Sequence, residues 1–190
     1  MWKRHIRSLV PEKCRTELLE GAKKKSSLKW WLLEDFNWGI QPIWQSCSSN
    51  TEMLTAAHTR VKILCGRYKT QKLLAKFNKN ENPTCKLCQG EAEDTFHLVS
   101  VCPRTDDIRR EFLGRLGKLC SLEDIPEPRS RDEICWAALN GGDFMSGNSN
   151  IIKFKAYSRK ANQLSNMFCK KLDARRHGLL DSSSRGHSGF

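Results

Sequence analysis

The sequence has no long apolar run. A membrane-spanning helix needs about 18 consecutive apolar residues, and the richest stretch here, Trp30 to Leu33, is cut off by Glu34 and Asp35. The basic start Met1-Trp2-Lys3-Arg4-His5 is followed by no apolar signal region, so neither a membrane nor a secreted protein is expected. Catalytic signatures are also lacking. There is no glycine-rich phosphate loop, no Ser-His-Asp series and no carboxylate cluster of the endonuclease kind. Acids are scarce, 21 against 33 lysines and arginines. What remains is a chain of 190 residues, 28% charged and 38% hydrophobic, with mean hydropathy −0.60 and formal net charge +12. That suits one domain, or a small domain with helical flanks, and an anionic partner.

The charge is unevenly placed. Residues 1–50 carry +4, residues 51–80 carry +6, residues 81–104 carry −2, residues 105–150 carry −3 and residues 151–190 carry +7. Two basic blocks therefore flank a mildly acidic middle, which does not fit an evenly solvated surface.

Nine cysteines form an odd set without the spacing of a disulfide framework. Reduced thiols in an intracellular compartment, nuclear or cytoplasmic, are expected. Cys14, Cys47, Cys65, Cys120, Cys135 and Cys169 stand alone and read as small apolar fillers. The other three belong to a pattern described below.

Four segments are expected along the chain. Residues 1–50 hold a short basic helix, best over Cys14 to Glu20, and a Trp-rich arm from Leu28 to Trp44 broken by Gly39 and Pro42. Glu34 and Asp35 interrupt its aromatics, which favours packing over base stacking. Residues 51–125 read as a helical zinc-binding domain with its knuckle at 85–102. Leu54, Ala57, Val61, Leu64 and Tyr68 keep helical spacing, and Gly66 marks a bend or an end. Lys69, Lys72, Lys76 and Lys79 then repeat as a stripe opposite Leu73, Leu74 and Phe77. Thr105 is placed to cap a helix opening on Asp106 and Asp107. Residues 126–176 hold a Pro126/Pro128 linker, a short helix over Arg131 to Leu139 and a long helix striped by Phe154, Tyr157, Ala161, Leu164, Phe168 and Leu172. Residues 177–190, rich in serine and glycine, are expected to be disordered. The fold class is mainly α: short helices around a small zinc site, with an irregular N-terminal arm and a disordered tail.

The chemistry lies in C-x2-C-x8-H-x4-C, formed by Cys85, Cys88, His97 and Cys102. Two intervening residues let a tight turn aim both sulfurs at one ion. The next eight bring the chain back so that a short helix can present His97, and Pro103 stops it just past Cys102. Three thiolates and an imidazole filling a tetrahedron select one structural Zn²⁺ rather than a catalytic metal, which keeps a position open. A redox Cys-x-x-Cys is the alternative, but no thioredoxin-like strand–helix unit surrounds it. The local core of Leu87, Phe96, Leu98, Val99 and Val101 is too small to stand alone. Metal binding, on the order of 10 kcal/mol in such sites, should be coupled to folding.

The flanks of this motif stand in a recognisable order. Lys25-Ser26-Ser27-Leu28, Pro42-Ile43-Trp44, the run Arg60 to Gln71, the run Ala75 to Asn80 and then the cysteine cluster follow one another. This resembles the C-terminal zinc-binding (CCHC) region of non-LTR, LINE-like retrotransposon reverse transcriptase polyproteins, over residues 25–112. Residues 113–190 match only in character. The resemblance implies a zinc knuckle behind the polymerase that assists nucleic-acid binding in target-primed reverse transcription, with Cys85, Cys88, His97 and Cys102 as ligands. The polymerase itself is not expected here. Tyr68 and Tyr157, the only tyrosines, are followed by Lys-Thr-Gln and Ser-Arg-Lys instead of a Tyr-x-Asp-Asp turn. A fragment or domesticated remnant that binds without catalysing is expected, and the missing polymerase portion is a possible partner.

The knuckle segment, already at −2, reaches about −3 once three thiolates and one Zn²⁺ are counted. It should repel phosphate. The candidate nucleic-acid contacts, to RNA, DNA or both, are therefore Arg60, Lys62, Arg67, Lys69, Lys72, Lys76 and Lys79, with Lys153 to Arg176 as a second basic region. On this reading zinc is a clip that sets the angle of the lysine helix. A solvated lysine face is the bland alternative. A protein-docking module and a degenerate element copy are the rival functions, and salt dependence separates docking from phosphate binding.

Overall fold

The computed structural model describes residues 16–17, 20–21, 24, 42–47, 50–141 and 151–185. The expected N-terminal helix falls there only at scattered positions, and the arm from Leu28 to Gln41 lies outside the described residues. Within them the chain is mainly helical, as composition and periodicity suggest. Six α-helices follow one another: α1 (Pro42–Gln45), α2 (Thr51–Leu64), α3 (Gln71–Phe77), α4 (Asp106–Glu123), α5 (Arg131–Asn140) and α6 (Ile151–Arg185). Between α3 and α4 lie the knuckle, a π-helical turn (His97–Val101) and a 3₁₀ turn (Pro103–Thr105).

Local chemistry sets the helix ends. The Asn50 side chain accepts from the amides of Glu52 at 2.8 Å and Met53 at 3.3 Å, starting α2. Gly66, at φ 62°, lets the chain leave it. Thr70 caps α3 through the Leu73 amide, and a Ser130/Glu133 capping box starts α5. Thr105 departs from expectation. Its hydroxyl lies 3.0 Å from both the Leu98 and Cys102 carbonyls, so it secures the turn behind it and does not cap α4.

Helix α6 organises the molecule by lying against α1, α2, α4 and α5. Phe168 from its apolar stripe meets Phe112 of α4, the rings 5.0 Å apart, and Leu172 and Leu116 join the same core. A buried aromatic of this kind costs about 3–5 kcal/mol to truncate. The same core takes in Leu87, Leu98 and Val99 of the knuckle, so the small zinc segment leans on the helical scaffold. It also crosses the boundary placed at residue 125 on the sequence.

Two expectations need correction. Leu54 of the proposed α2 stripe is 42% exposed, and the buried face is Ala56, Ala57, Thr59, Arg60, Ile63 and Leu64. The cause is a polar seam: the Arg60 guanidinium donates to the Leu139 carbonyl at 2.6 Å, Asn162 Oδ1 at 2.8 Å and Asn166 Oδ1 at 3.1 Å. The α3 stripe is also shorter than its spacing implies. Lys69 precedes the helix, Lys79 follows it, and Phe77 faces solvent. Helix α6 is described through Arg185. Residues 186–190 lie outside the described residues.

Candidate metal centre

A short hairpin builds the first half of the site. The Cys85 amide donates to the Glu91 carbonyl at 2.9 Å, the Glu93 amide to the Pro83 carbonyl at 2.8 Å, and Thr84 pairs with Ala92 as an antiparallel bridge. Gln89, at φ 56°, turns the chain back and donates its amide to the Cys85 carbonyl at 2.7 Å. Backbone amides of Leu87 and Cys88 point at the Cys85 sulfur, which suits a thiolate.

The second half comes from the π-helical turn. Asp94 accepts from the His97 amide at 2.9 Å and fixes its start. The turn closes with the Cys102 amide donating to the His97 carbonyl at 2.7 Å, placing the two ligands together. Arg109 of α4 locks it by donating to the Cys102 carbonyl at 2.6 Å and the Val99 carbonyl at 3.2 Å.

All four expected ligands are brought together. The donor atoms of Cys85, Cys88, His97 and Cys102 lie within 4.8 Å of one another. Cys88 Sγ is 3.3 Å from His97 Nε2 and Cys85 Sγ is 4.0 Å from Cys102 Sγ. A tetrahedral zinc with ordinary bond lengths requires ligand–ligand edges of about 3.5–3.8 Å, which those values bracket. Cys85, Cys102 and His97 are buried and Cys88 half-buried. His97 Nδ1 faces Glu91 at 3.6 Å, the direction in which a ligating histidine hands its other N–H to a carboxylate.

The donor set can hold a metal ion. Burial pushes the Cys85 thiol up to about 12, and burial also raises that of Cys102. These two thiols therefore keep their protons until a cation displaces them.

Beside the ligands stands a residue that sequence reasoning passed over. Glu93 is fully buried and its carboxylate accepts from the Gln71 amide at 2.9 Å and from Arg176 Nε at 3.0 Å. Its carbonyl accepts from the Lys72 amide at 3.0 Å. Arg176 also donates to the Lys69 carbonyl at 2.7 Å and stacks over Tyr68. Tyr68 in turn donates to Asp173 at 2.8 Å. Helix α3 is thereby fastened to the knuckle on one side and to α6 on the other. Nothing local in the sequence singles Glu93 out from the neighbouring acids Glu91 and Asp94.

The candidate nucleic-acid residues divide. Arg60 is fully buried in the seam between α2, α5 and α6, so it is structural and not a phosphate contact. Lys72 is exposed but paired with Asp94 at 2.9 Å. Lys62, Arg67, Lys69, Lys76 and Lys79 are exposed and form no ion pair among the described residues. In the second basic region, Lys170 pairs with Glu52 at 2.7 Å, Lys171 with Glu111 at 2.5 Å and Arg175 with Asp107 at 2.6 Å, while Arg176 is buried on Glu93. Those four cations tie α6 to the rest of the fold.

Comparison of the chain with protein-family models, curated proteins and solved structures finds no match. Among the described residues, no helix is long and apolar enough to cross a membrane.

Proposed function

We propose that the chain is a non-catalytic nucleic-acid-binding module clipped by one structural Zn²⁺ on Cys85, Cys88, His97 and Cys102. It resembles the segment that follows the polymerase in LINE-like reverse transcriptases. Thiolates and imidazole in a filled four-donor set favour zinc over harder ions and leave no position for a reacting water. The observation that carries the reading is the bond from Glu93 to the first turn of α3. It links a metal-held hairpin to the stretch from Lys62 to Lys79, which holds five cations with no ion pair among the described residues. The knuckle supplies order and the lysines supply charge.

Replacing Lys69, Lys76 and Lys79 together by Gln tests this. Zinc content and fold should be kept, while affinity for RNA and DNA falls. The log–log salt slope should drop by about 0.7–0.9 for each phosphate the protein ceases to neutralise. Unchanged affinity and slope would remove the lysine stretch as the binding face.

A second reading, protein docking, has its own observation. A groove of ≈ 640 Å³ between α2, α4 and α6 has Met53, Leu119, Leu122 and Met167 among its walls, with Arg115, Lys118 and Lys160 beside them. An acidic amphipathic helix suits that mixture of adaptable apolar floor and cationic rim. Leu122→Asp, at a groove residue that is 77% exposed, would abolish such docking without touching the salt slope on nucleic acid.

A further inference from the structure

Phe77 is 81% exposed, whereas Phe112 and Phe168 are buried. It ends a seven-residue helix anchored at its first turn, where the Glu93 carboxylate accepts from the Gln71 amide and the Glu93 carbonyl from the Lys72 amide. The ring is therefore carried by an anchored element. Its immediate neighbours Lys76, Asn78, Lys79 and Asn80 are all exposed, and the lysines among them have no acidic partner among the described residues. Among the described residues the other exposed large apolar side chains, Trp44, Leu54 and Leu122, belong to other elements. A protein-docking patch needs contiguous apolar surface. A single aromatic face set between cations has the composition of a stacking platform, where the ring meets a base and the ammonium groups meet its phosphates.

We infer that Phe77 stacks on an unpaired base of single-stranded nucleic acid, with Lys76 and Lys79 on the flanking phosphates. This rests on the nucleic-acid reading above and narrows it to strands that expose base faces, since a duplex keeps those faces in its own stack. Phe77 adds no charge, so its contribution is separable from that of the lysines.

The test uses the full zinc-loaded chain and three probes of equal length, about 12 nucleotides: a mixed-sequence single strand, its duplex and an abasic strand. Phe77→Ala should weaken single-strand binding about 5- to 150-fold. Duplex and abasic affinities, the salt slope and the thermal midpoint should not move. Phe77→Trp should restore single-strand binding. Wild-type affinity for the single strand in Phe77→Ala, or an equal loss on the abasic strand, would overturn the stacking role alone. Failure of the unsubstituted protein to bind any probe would overturn both this inference and the nucleic-acid reading.

Discussion

The two basic blocks carry nearly equal charge, +6 over residues 51–80 and +7 over residues 151–190, and the fold uses them differently. In the second, Lys170, Lys171, Arg175 and Arg176 each meet an acid from an earlier segment: Glu52, Glu111, Asp107 and Glu93. In the first, Lys62, Arg67, Lys69, Lys76 and Lys79 meet none among the described residues. Block charge thus says little about partners until the acids of the rest of the chain are placed. A cation that α6 turns toward the body is a structural tie. Lys62, Arg67, Lys69, Lys76 and Lys79 stay available to an external anion, as do the exposed Arg159 and Lys160 earlier on α6, whereas Lys72 is held by Asp94.

That contrast can be broken most forcefully at Arg176. Arg176→Met leaves the buried Glu93 carboxylate without its countercharge, and breaking a buried pair in this way costs about 3–5 kcal/mol. Denaturant unfolding should show that loss, and pairing the change with Glu93→Met should recover much of it. A loss no larger than that of an exposed lysine would mean that α6 does not hold the knuckle. The lysine triple to Gln sits lower on the scale. It should leave stability nearly unchanged while flattening the salt slope, since those side chains are solvated in the free protein.

The smallest effect expected is that of the exposed ties. Lysine or arginine partners hold the carboxyls of Glu52, Asp107 and Glu111 below their ordinary values. Groups depressed in the folded state contribute above the unfolded carboxyl value and lose that contribution as pH falls through the folded one. A thermal midpoint followed below pH of about 4 should therefore fall slightly more steeply in the native protein than in Lys171→Gln. Identical acid profiles would show that this exposed tie contributes nothing.

How much of this was legible in the sequence depends on range. The four ligands were, because spacing within 18 residues fixes what a turn and a short helix can bring together. Gly66 and Pro103 were equally local. Arg60 was not. Its partners Leu139, Asn162 and Asn166 lie 79 to 106 residues away, and only the packing of α6 shows that a basic residue on α2 points inward. Glu93 and Arg176, 83 residues apart, were hidden for the same reason. Helical spacing also overextended the lysine stripe. A 3.6-residue period carries no information on where the backbone stops being helical, and Thr70 and Asn78 bound α3 to seven residues.

The central claim is that metal acts on nucleic acid through the placement of α3, not by contact. The most direct measurement compares the protein with Cys88→Ser, every lysine intact, for zinc content by native mass spectrometry and for affinity on one single-stranded RNA at fixed salt. The account predicts loss of the bound zinc and at least a tenfold fall in affinity, about 1.4 kcal/mol, because the cations and Phe77 lose their fixed arrangement. A zinc-free Cys88→Ser protein that binds the RNA as tightly as the native one would contradict it, as would full retention of zinc.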